Sequence, residues 1–488
     1  MICLLSLRLH TVHVTGGDAA ANATRRVSKA MQDTGRLYAS GFDAAPALSN
    51  PLRVPAAERT YGRQFAQVYD YRLAVLRRRV LAAAEAASEA PLPYVERILD
   101  VPAGKLCFVI GTLYAAMPRK PDVLQEIARD HSLAPQPIPT SYADAERDEL
   151  FIEDQSGRVR LVGDAIRSGT RLAQECVTGV VAGVFGVETP EGDLEVTAMQ
   201  FPGPPAAPAP EKLPRAGDAP APHIALLSGL AAGAEASLAH DLLAEWLTGE
   251  LGHDAAVRSI SSAVLAGNSV PRAEWTHLGA VAGDRHKAAA ASTHNPLADL
   301  DPLLERLCAS LETVLVVPGA EDPCSTTLPQ QPLLRPLLPR SARWASLQLA
   351  TNPTWATLHS RTLLCTGGQN VEDLVRYLPE EREAVPGVSA QMQMALATLQ
   401  WAHMAPSAPD TLWCYPFKAS DPFVLRASPD VYVVGNMPAF ESAVVDAPCT
   451  GGGTRPIRVV LVPSFHERHE VVLLNAETLE CRVVRLPA

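Results

Sequence analysis

Between residues 61 and 90 the apolar side chains of Phe65, Tyr69, Leu73, Leu76 and Val80 recur every three or four positions, which predicts an amphipathic helix that buries one face. Arg72, Arg77, Arg78 and Arg79 then read as a charge run on its solvated back, with a grip on phosphate as the sharper alternative. From Lys105 the pattern shortens to strands: residues 106–110 ending at Gly111, 149–153 and 159–161 around a QSG turn, and 177–185 and 194–201 around a PEGD turn. Short apolar runs broken by tight turns fit a small barrel, a class that contains the oligonucleotide-binding (OB) fold. A barrel that gripped a single strand would expose aromatic rings beside basic residues. Phe108, Tyr114, Phe151 and Phe185 sit within apolar strands and read as core, so protein contact is expected of this barrel before DNA contact.

Residues 202–222 hold eight prolines among alanines and charged residues, which removes backbone donors and places a stiff linker over 203–222. Beyond it strand and helix patterns alternate. Strands are predicted at residues 223–227, 261–266, 314–317, 361–365, 431–434, 457–462, 471–474 and 481–486. Helical stripes run through Leu238, Leu242, Trp246 and Leu247, through Leu303, Leu304, Leu307 and Leu311, near residues 371–377, and through Met392, Leu396 and Leu399. The alternation predicts an α/β sandwich with helices outside and a closing antiparallel hairpin. Met392 and Met394 read as core filler. The chain thus divides into an extension (1–58) that is disordered or begins at a mis-assigned start, a helical region (59–95), an all-β barrel (96–202), the linker (203–222) and the α/β sandwich (223–488).

Composition narrows the function classes. With 488 residues, 47% hydrophobic and 19% charged, the chain has ample core for more than one domain. A net charge of -11 excludes a whole-molecule basic footprint for nucleic acid. The nine cysteines are scattered singly with no C-x-x-C pair, which fits a reducing compartment and argues against a cysteine zinc module. Residues 1–14 are apolar but interrupted by Arg8 and His10, and are read as non-secretory, with an organelle transit peptide as the alternative for the arginine-bearing stretch that follows. No run of about 18 uninterrupted apolar residues supports a membrane span.

The richest chemistry lies at the ends of the predicted strands. Residues 316–332, VVPGAEDPCSTTLPQQP, deliver a Gly-Ala-Glu-Asp turn from a buried strand, where calcineurin-like phosphoesterases carry Gly-Asn-His-Asp or Gly-Asn-His-Glu. A two-metal phosphoesterase needs a bridging carboxylate, several neutral imidazoles and an activated water. The corresponding turns here are Ser228-Gly-Leu230, Gly267-Asn268-Ser-Val270, Gly319-Ala-Glu-Asp322 and Gly435-Asn436-Met-Pro438. None holds a histidine. Ser228, Asn268, Glu321, Asp322 and Asn436 therefore read as vestigial site positions, and no catalytic residue, metal ligand or cofactor is expected. Together with LAGN (265–268), TGGQN (366–370), TNP (351–353), APDTL (408–412), YPF (415–417), VVGNMP (433–438) and LPQQP (328–332), these turns resemble the B-subunit family of the replicative DNA polymerases alpha, delta and epsilon, its delta branch in particular.

That resemblance runs from about residue 61 to the C-terminus and implies an OB-fold barrel followed by an inactive calcineurin-like phosphoesterase αββα sandwich. It further implies a nuclear, non-catalytic accessory subunit of polymerase delta in DNA replication and repair. Its partners would be the C-terminal metal-binding domain of the catalytic subunit and a third polymerase subunit, with DNA touched only indirectly or weakly and no membrane. Any exposed members of Trp355, Tyr377, Trp401, Trp413 and Tyr415 are anchor candidates, with core packing as the plainer role. Two alternatives stay open: a metal-dependent phosphodiesterase or nuclease with a degenerate site, and the B subunit of another replicative polymerase. Lesser motifs carry less. SGLAAG (228–233) lacks the spacing of a nucleotide cradle, HERH (466–469) reads as an exposed loop between strands, and CTGGGT (449–454) reads as a flexible connection.

Overall fold

The computed structural model describes residues 43, 45–121, 139–207, 221–234, 238–251, 257–272 and 295–487. Most of the predicted linker, residues 208–220, lies outside them, as do residues 1–42 and 44 of the predicted extension.

The end of that extension corrects the expectation of disorder. Helix α1 (Pro46–Ser49) and the turn after it lie on the body: the Ser49 hydroxyl donates to Trp355 O at 2.6 Å, Gln331 exchanges hydrogen bonds with Leu52 O and Val54 N, and Leu52 is fully buried. Leu52 and Val54 bury apolar surface while side chains of the body satisfy the neighbouring backbone, which is enough to hold a segment without periodicity.

Helix α2 (Ala66–Ala87) forms as its spacing predicts and belongs to the barrel it covers. Leu73, Leu76, Val80 and Ala84 pack on Phe108, Ile110 and Val181, and reach Ala402 and Val424 of the C-terminal half. Strand β1 (Tyr94–Val95) leads into a closed barrel of β2 (Leu106–Ala116), β3 (Glu149–Glu153), β4 (Arg158–Val162), β5 (Val181–Glu188) and β6 (Leu194–Gln200), ordered β2-β3-β4-β6-β5 with β5 returning to β2. The one-turn helix α3 (Arg171–Gln174) links β4 to β5. β2 does not stop at Gly111. A Cβ there would lie 2.5 Å from Glu153 O, so glycine lets the strand bend across its neighbour and continue to Ala116.

The C-terminal half is four layers. One sheet orders β10 (Leu347–Leu349), β9 (Thr313–Val317), β8 (Ile260–Ala266), β7 (His223–Leu227), β16 (Glu470–Asn475) and β17 (Cys481–Arg485). The other orders β11 (Thr354–Leu358), β12 (Arg361–Thr366), β13 (Val431–Met437), β15 (Thr454–Pro463) and β14 (Glu441–Pro448). Leu226, Val264 and Leu315 of the first meet Leu363, Val433 and Val460 of the second in a dry core between the sheets. The alternate residues of the first sheet pack beneath α4 (Leu238–Thr248) and α5 (Leu297–Ser310), and those of the second beneath α6 (Gln369–Val375) and α7 (Ala390–Gln400). Strands covered on both faces read as unbroken apolar runs, which is why these were visible in the sequence.

Two readings are corrected and a third is made more specific. The buried face of α4 is Ala239, Leu243, Trp246 and Leu247, with Leu238 exposed. HERH is not a loop: α8 (Phe465–Arg468) makes one helical turn there, pinned by buried Phe465. CTGGGT is the turn of the β14–β15 hairpin, with Gly451, Gly452 and Gly453 all at positive φ. At its near end the predicted linker is pinned as well, since Gly203 N donates to Gln400 O and Ser428 to Pro205 O. Among the described residues no helix is long and apolar enough to cross a membrane.

Candidate functional site

The turns after β7, β8, β9, β12 and β13 meet at one edge of the sandwich. They approach so closely that side chains are excluded: a Cβ at Gly435 would lie 1.9 Å from Ala266 O, and one at Gly319 would lie 2.2 Å from Asn268 Oδ1. The five predicted site residues fall in this region as two groups. The Ser228 hydroxyl donates toward Val462 O and Pro463 O, both at 2.9 Å, and accepts from Asn436 N at 2.9 Å. The Asn436 side-chain amide donates to Gly367 O at 2.9 Å and Ala266 O at 3.3 Å. In the second group Asn268 Oδ1 accepts from Glu321 N at 3.1 Å. Asp322 is 6% exposed, and its carboxylate accepts from Gly319 N at 2.7 Å and Val270 N at 3.1 Å. Burial pushes its carboxyl up to about 6, against the pull of those backbone donors. The Asp322 carboxylate thus acts as a backbone clamp.

Sequence reasoning missed what lies between the turns. Asn352 Nδ2 donates to Gln330 Oε1 at 2.9 Å and to Gln369 Oε1 at 2.8 Å, while Gln369 Nε2 donates to Gln330 Oε1 at 2.9 Å. Gln330 Nε2 donates onward to Gly319 O and Ser325 O, each at 3.0 Å, and Asn352 Oδ1 accepts from Gly367 N at 3.0 Å. A closed ring of three neutral amides therefore joins the turns after β9 and β12. Its members stand in LPQQP, TNP and TGGQN, three of the stretches that carry the family resemblance. On the other side His240 of α4 reaches Leu230 O at 2.7 Å, and burial lowers its pKa. Among the described residues no group of three or more His, Cys, Asp and Glu side chains is arranged to hold a metal ion.

Arg72 departs from the solvated-back reading of α2, whereas Arg78 is exposed as that reading expects. Arg72 is fully buried, bonds the Asp421 carboxylate at 2.8 Å, and donates to Gly179 O, Pro406 O and Ala408 O, so one guanidinium ties helix, barrel and sandwich together. Arg79 donates to Leu425 O and Gly203 O. His403 Nδ1 accepts from Ala405 N, which leaves Nε2–H to donate to Asp421 at 2.8 Å. Burial, helped by the Arg72 charge, pushes His403 down to about 4. Burial alone would raise Asp421, but His403 and Arg72 outweigh it and hold the carboxyl below its usual range.

The aromatic reading of the barrel divides. Phe108 is buried and Phe185 packs beside it, as expected, but Tyr114 and Phe151 point outward and are only half-buried. The Arg158 guanidinium lies over both rings, 4.7 Å from Tyr114 and 5.4 Å from Phe151. Of the five anchor candidates Trp355, Tyr377, Trp401 and Tyr415 are core, and Trp413 is 49% exposed.

Residues 64–199 match the family described as the DNA polymerase delta OB-fold domain, and residues 224–442 match the family of DNA polymerase alpha/epsilon B subunits. The chain is 31% identical to the DNA polymerase delta small subunit of Saccharomyces cerevisiae over 90% of its own length and 92% of that protein's. The chain belongs to the DNA polymerase delta small-subunit family. It is also 33% identical to DNA polymerase delta subunit 2 of Drosophila melanogaster, over 87% of the chain and 93% of that protein. Against the DNA polymerase delta small subunit of Arabidopsis thaliana it is 32% identical, over 87% and 91%. The first family match begins at α2, which agrees with the packing of that helix on the barrel.

Proposed function

We propose that this accessory subunit of polymerase delta works without catalysis, as a scaffold in which a calcineurin-like phosphoesterase sandwich keeps its shape and has lost its metal chemistry. The observation that carries this is the use made of the strand-end side chains. Both Asp322 oxygens accept backbone N–H groups, and the three amides spend their hydrogen bonds on one another and on the turns. A dinuclear centre needs imidazoles and free carboxylate lone pairs, so these residues do not fit one. In this reading the barrel and sandwich present docking surfaces to the C-terminal metal-binding domain of the catalytic subunit and to a third subunit, in the nucleus, during replication and repair. DNA is touched indirectly.

The test is manganese-dependent hydrolysis of bis(p-nitrophenyl) phosphate by wild-type protein and Asp322→Asn, together with co-purification of the full chain with the catalytic subunit's C-terminal domain. Expected are no hydrolysis above background in either protein and retained co-purification. Hydrolysis lost in the variant would overturn the non-catalytic reading, and absence of co-purification would overturn the scaffold.

A further inference from the structure

A cavity of about 530 Å³ lies between the margins of the two sheets of the sandwich. Ser442 of β14 and Arg458 of β15 line it from one sheet, and His223 of β7, Asn475 of β16 and Arg482 of β17 from the other. His223 opens β7, whereas Ser228 follows its end, so the cavity stands at the opposite margin from the strand-end turns. β15 turns Val460 and Val462 into the core between the sheets, and the two-residue period of a strand puts Arg458 on the same face. The neighbouring arginines are engaged: Arg361 donates to Ala476 O at 2.6 Å and Glu477 O at 2.8 Å, and Arg455 bonds the Asp430 carboxylate. Arg458 is not. It is half-buried, its Nε is shut off from solvent, and among the described residues its guanidinium makes no ion pair and no hydrogen bond.

Two further donors of the lining are left over. Asn475 Oδ1 accepts from Glu477 N at 2.8 Å and Thr478 N at 3.0 Å, which fixes the side chain and leaves its Nδ2 without a partner among the described residues. The half-buried Ser442 hydroxyl has none there either. Glu480, the carboxylate of the lining, is exposed and accepts from the Thr478 hydroxyl at 3.4 Å. Unmatched donors around a fixed positive charge call for an acceptor-rich anion. Water can take a hydrogen bond from Nε, but it leaves the charge uncompensated. A carboxylate offers its lone pairs in one plane, whereas a tetrahedral oxyanion takes the guanidinium fork on two oxygens and a hydroxyl or amide on a third. A nucleic-acid strand needs a basic track along its length, and here the net charge is -11 and Glu480 stands exposed beside the cavity.

We propose that this cavity binds a phosphate dianion, free or as a monoester, with Arg458 as its principal contact and Ser442 and Asn475 completing the site. It is tested on the full chain, in chloride buffer of constant ionic strength, by calorimetric titration and thermal melting with orthophosphate, O-phosphoserine, acetate and an oligothymidylate. The variants are Arg458→Met, Ser442→Ala and, as a control for the loss of one surface charge, Arg343→Gln. Orthophosphate or O-phosphoserine should bind; Arg458→Met should weaken that binding at least about tenfold and Ser442→Ala about threefold, while Arg343→Gln leaves it unchanged. Without phosphate, Arg458→Met should melt no lower than wild type, since it removes a charge that nothing among the described residues matches, and phosphate should raise the melting temperature of wild type and not of Arg458→Met. Tighter binding of O-phosphoserine than of orthophosphate assigns the site to a phosphorylated partner, and the reverse or equality to the free ion. Equal binding in wild type and Arg458→Met means an adventitious ion only and overturns the proposal. So do acetate that binds as tightly as phosphate, no binding at all, oligothymidylate binding lost in Arg458→Met, and an Arg458→Met protein that melts several degrees below wild type without phosphate. Co-purification with the catalytic C-terminal domain is a separate measurement, and its failure touches the scaffold reading alone.

Discussion

Arg72 shows how much one side chain can carry. Its guanidinium serves Asp421 and three carbonyls, one at Gly179 and two on the 406–408 segment, in a site without solvent, so truncation takes the cation from a buried carboxylate and leaves several acceptors unpaired at once. Arg72→Ala should lower unfolding free energy by about 3–5 kcal/mol, read as a fall in urea midpoint, and the apolar pair Arg72→Leu with Asp421→Leu should recover part of it. If the single variant unfolds like wild type, Arg72 is not the tie described. Two further buried groups make opposing demands on pH. His403 is pushed down to about 4, so its contribution is present above the unfolded value of about 6.5 and lost as pH falls through 4. Asp322 is pushed up to about 6, so burying its charge weakens the fold above that pH and the penalty fades as pH falls toward the unfolded value near 3.9. Each swing is about 3 kcal/mol in full, and the signs oppose. Between pH 7 and pH 5, relative to wild type, melting temperature should therefore shift upward in His403→Gln and downward in Asp322→Asn. Parallel pH profiles in all three proteins would remove both groups from the account.

At the scale of the element, the decisive objects are strand ends. Glycines 319 and 435 let neighbouring turns approach to distances that no Cβ tolerates, and the amide ring then joins what the glycines allow to meet. Gly435→Ala should cost at least about 3 kcal/mol because the obstruction at Ala266 O is backbone, whereas Gln330→Ala, which takes the shared acceptor from Asn352 Nδ2 and Gln369 Nε2 but leaves Asn352 bonded to Gln369 Oε1, should cost about 1–3 kcal/mol; chemical denaturation distinguishes the two. The central strands were legible because both faces are covered and the sequence shows it as apolar runs. β10, β11 and β14 were not, since edge and short strands carry no continuous stripe: β14 mixes half-buried Ser442 and Ala443 with exposed Val444. The same limit applied to the site. Glycine turns and missing histidines could be read in order along the chain, but a ring closing Gln330 on Asn352 and Gln369 spans 22 and 39 positions, and spacing holds no trace of it. Arg72 was misread for a related reason. Helical periodicity marks the face that meets one neighbour, here the barrel, and a second neighbour burying part of the other face leaves no periodic mark.

The whole molecule is held by a core that ignores the boundary drawn at the prolines. One continuous apolar cluster contains Leu113, Ile152 and Val180 of the barrel together with Trp401, Met404 and Tyr432 of the sandwich. Polar ties run alongside it, among them Arg72 to Asp421, Lys120 to Asp410, and Tyr142 N to Arg376 O. An interface of this kind resembles the inside of a domain more than a contact between two, and separate halves would each expose a face rich in large apolar side chains. Barrel and sandwich should therefore unfold together. Thermal denaturation followed by near-ultraviolet circular dichroism and by the fluorescence of Trp401 and its fellows should give coincident single transitions. Fragments 45–207 and 221–488 made alone should be poorly soluble, yet should recover a common transition when co-expressed. Two resolved transitions, or a barrel fragment that melts cooperatively by itself, would mean that the halves are only docked. A partner bound across both would then be needed to fix their geometry, whereas a single cooperative unit supplies that rigidity before any partner arrives.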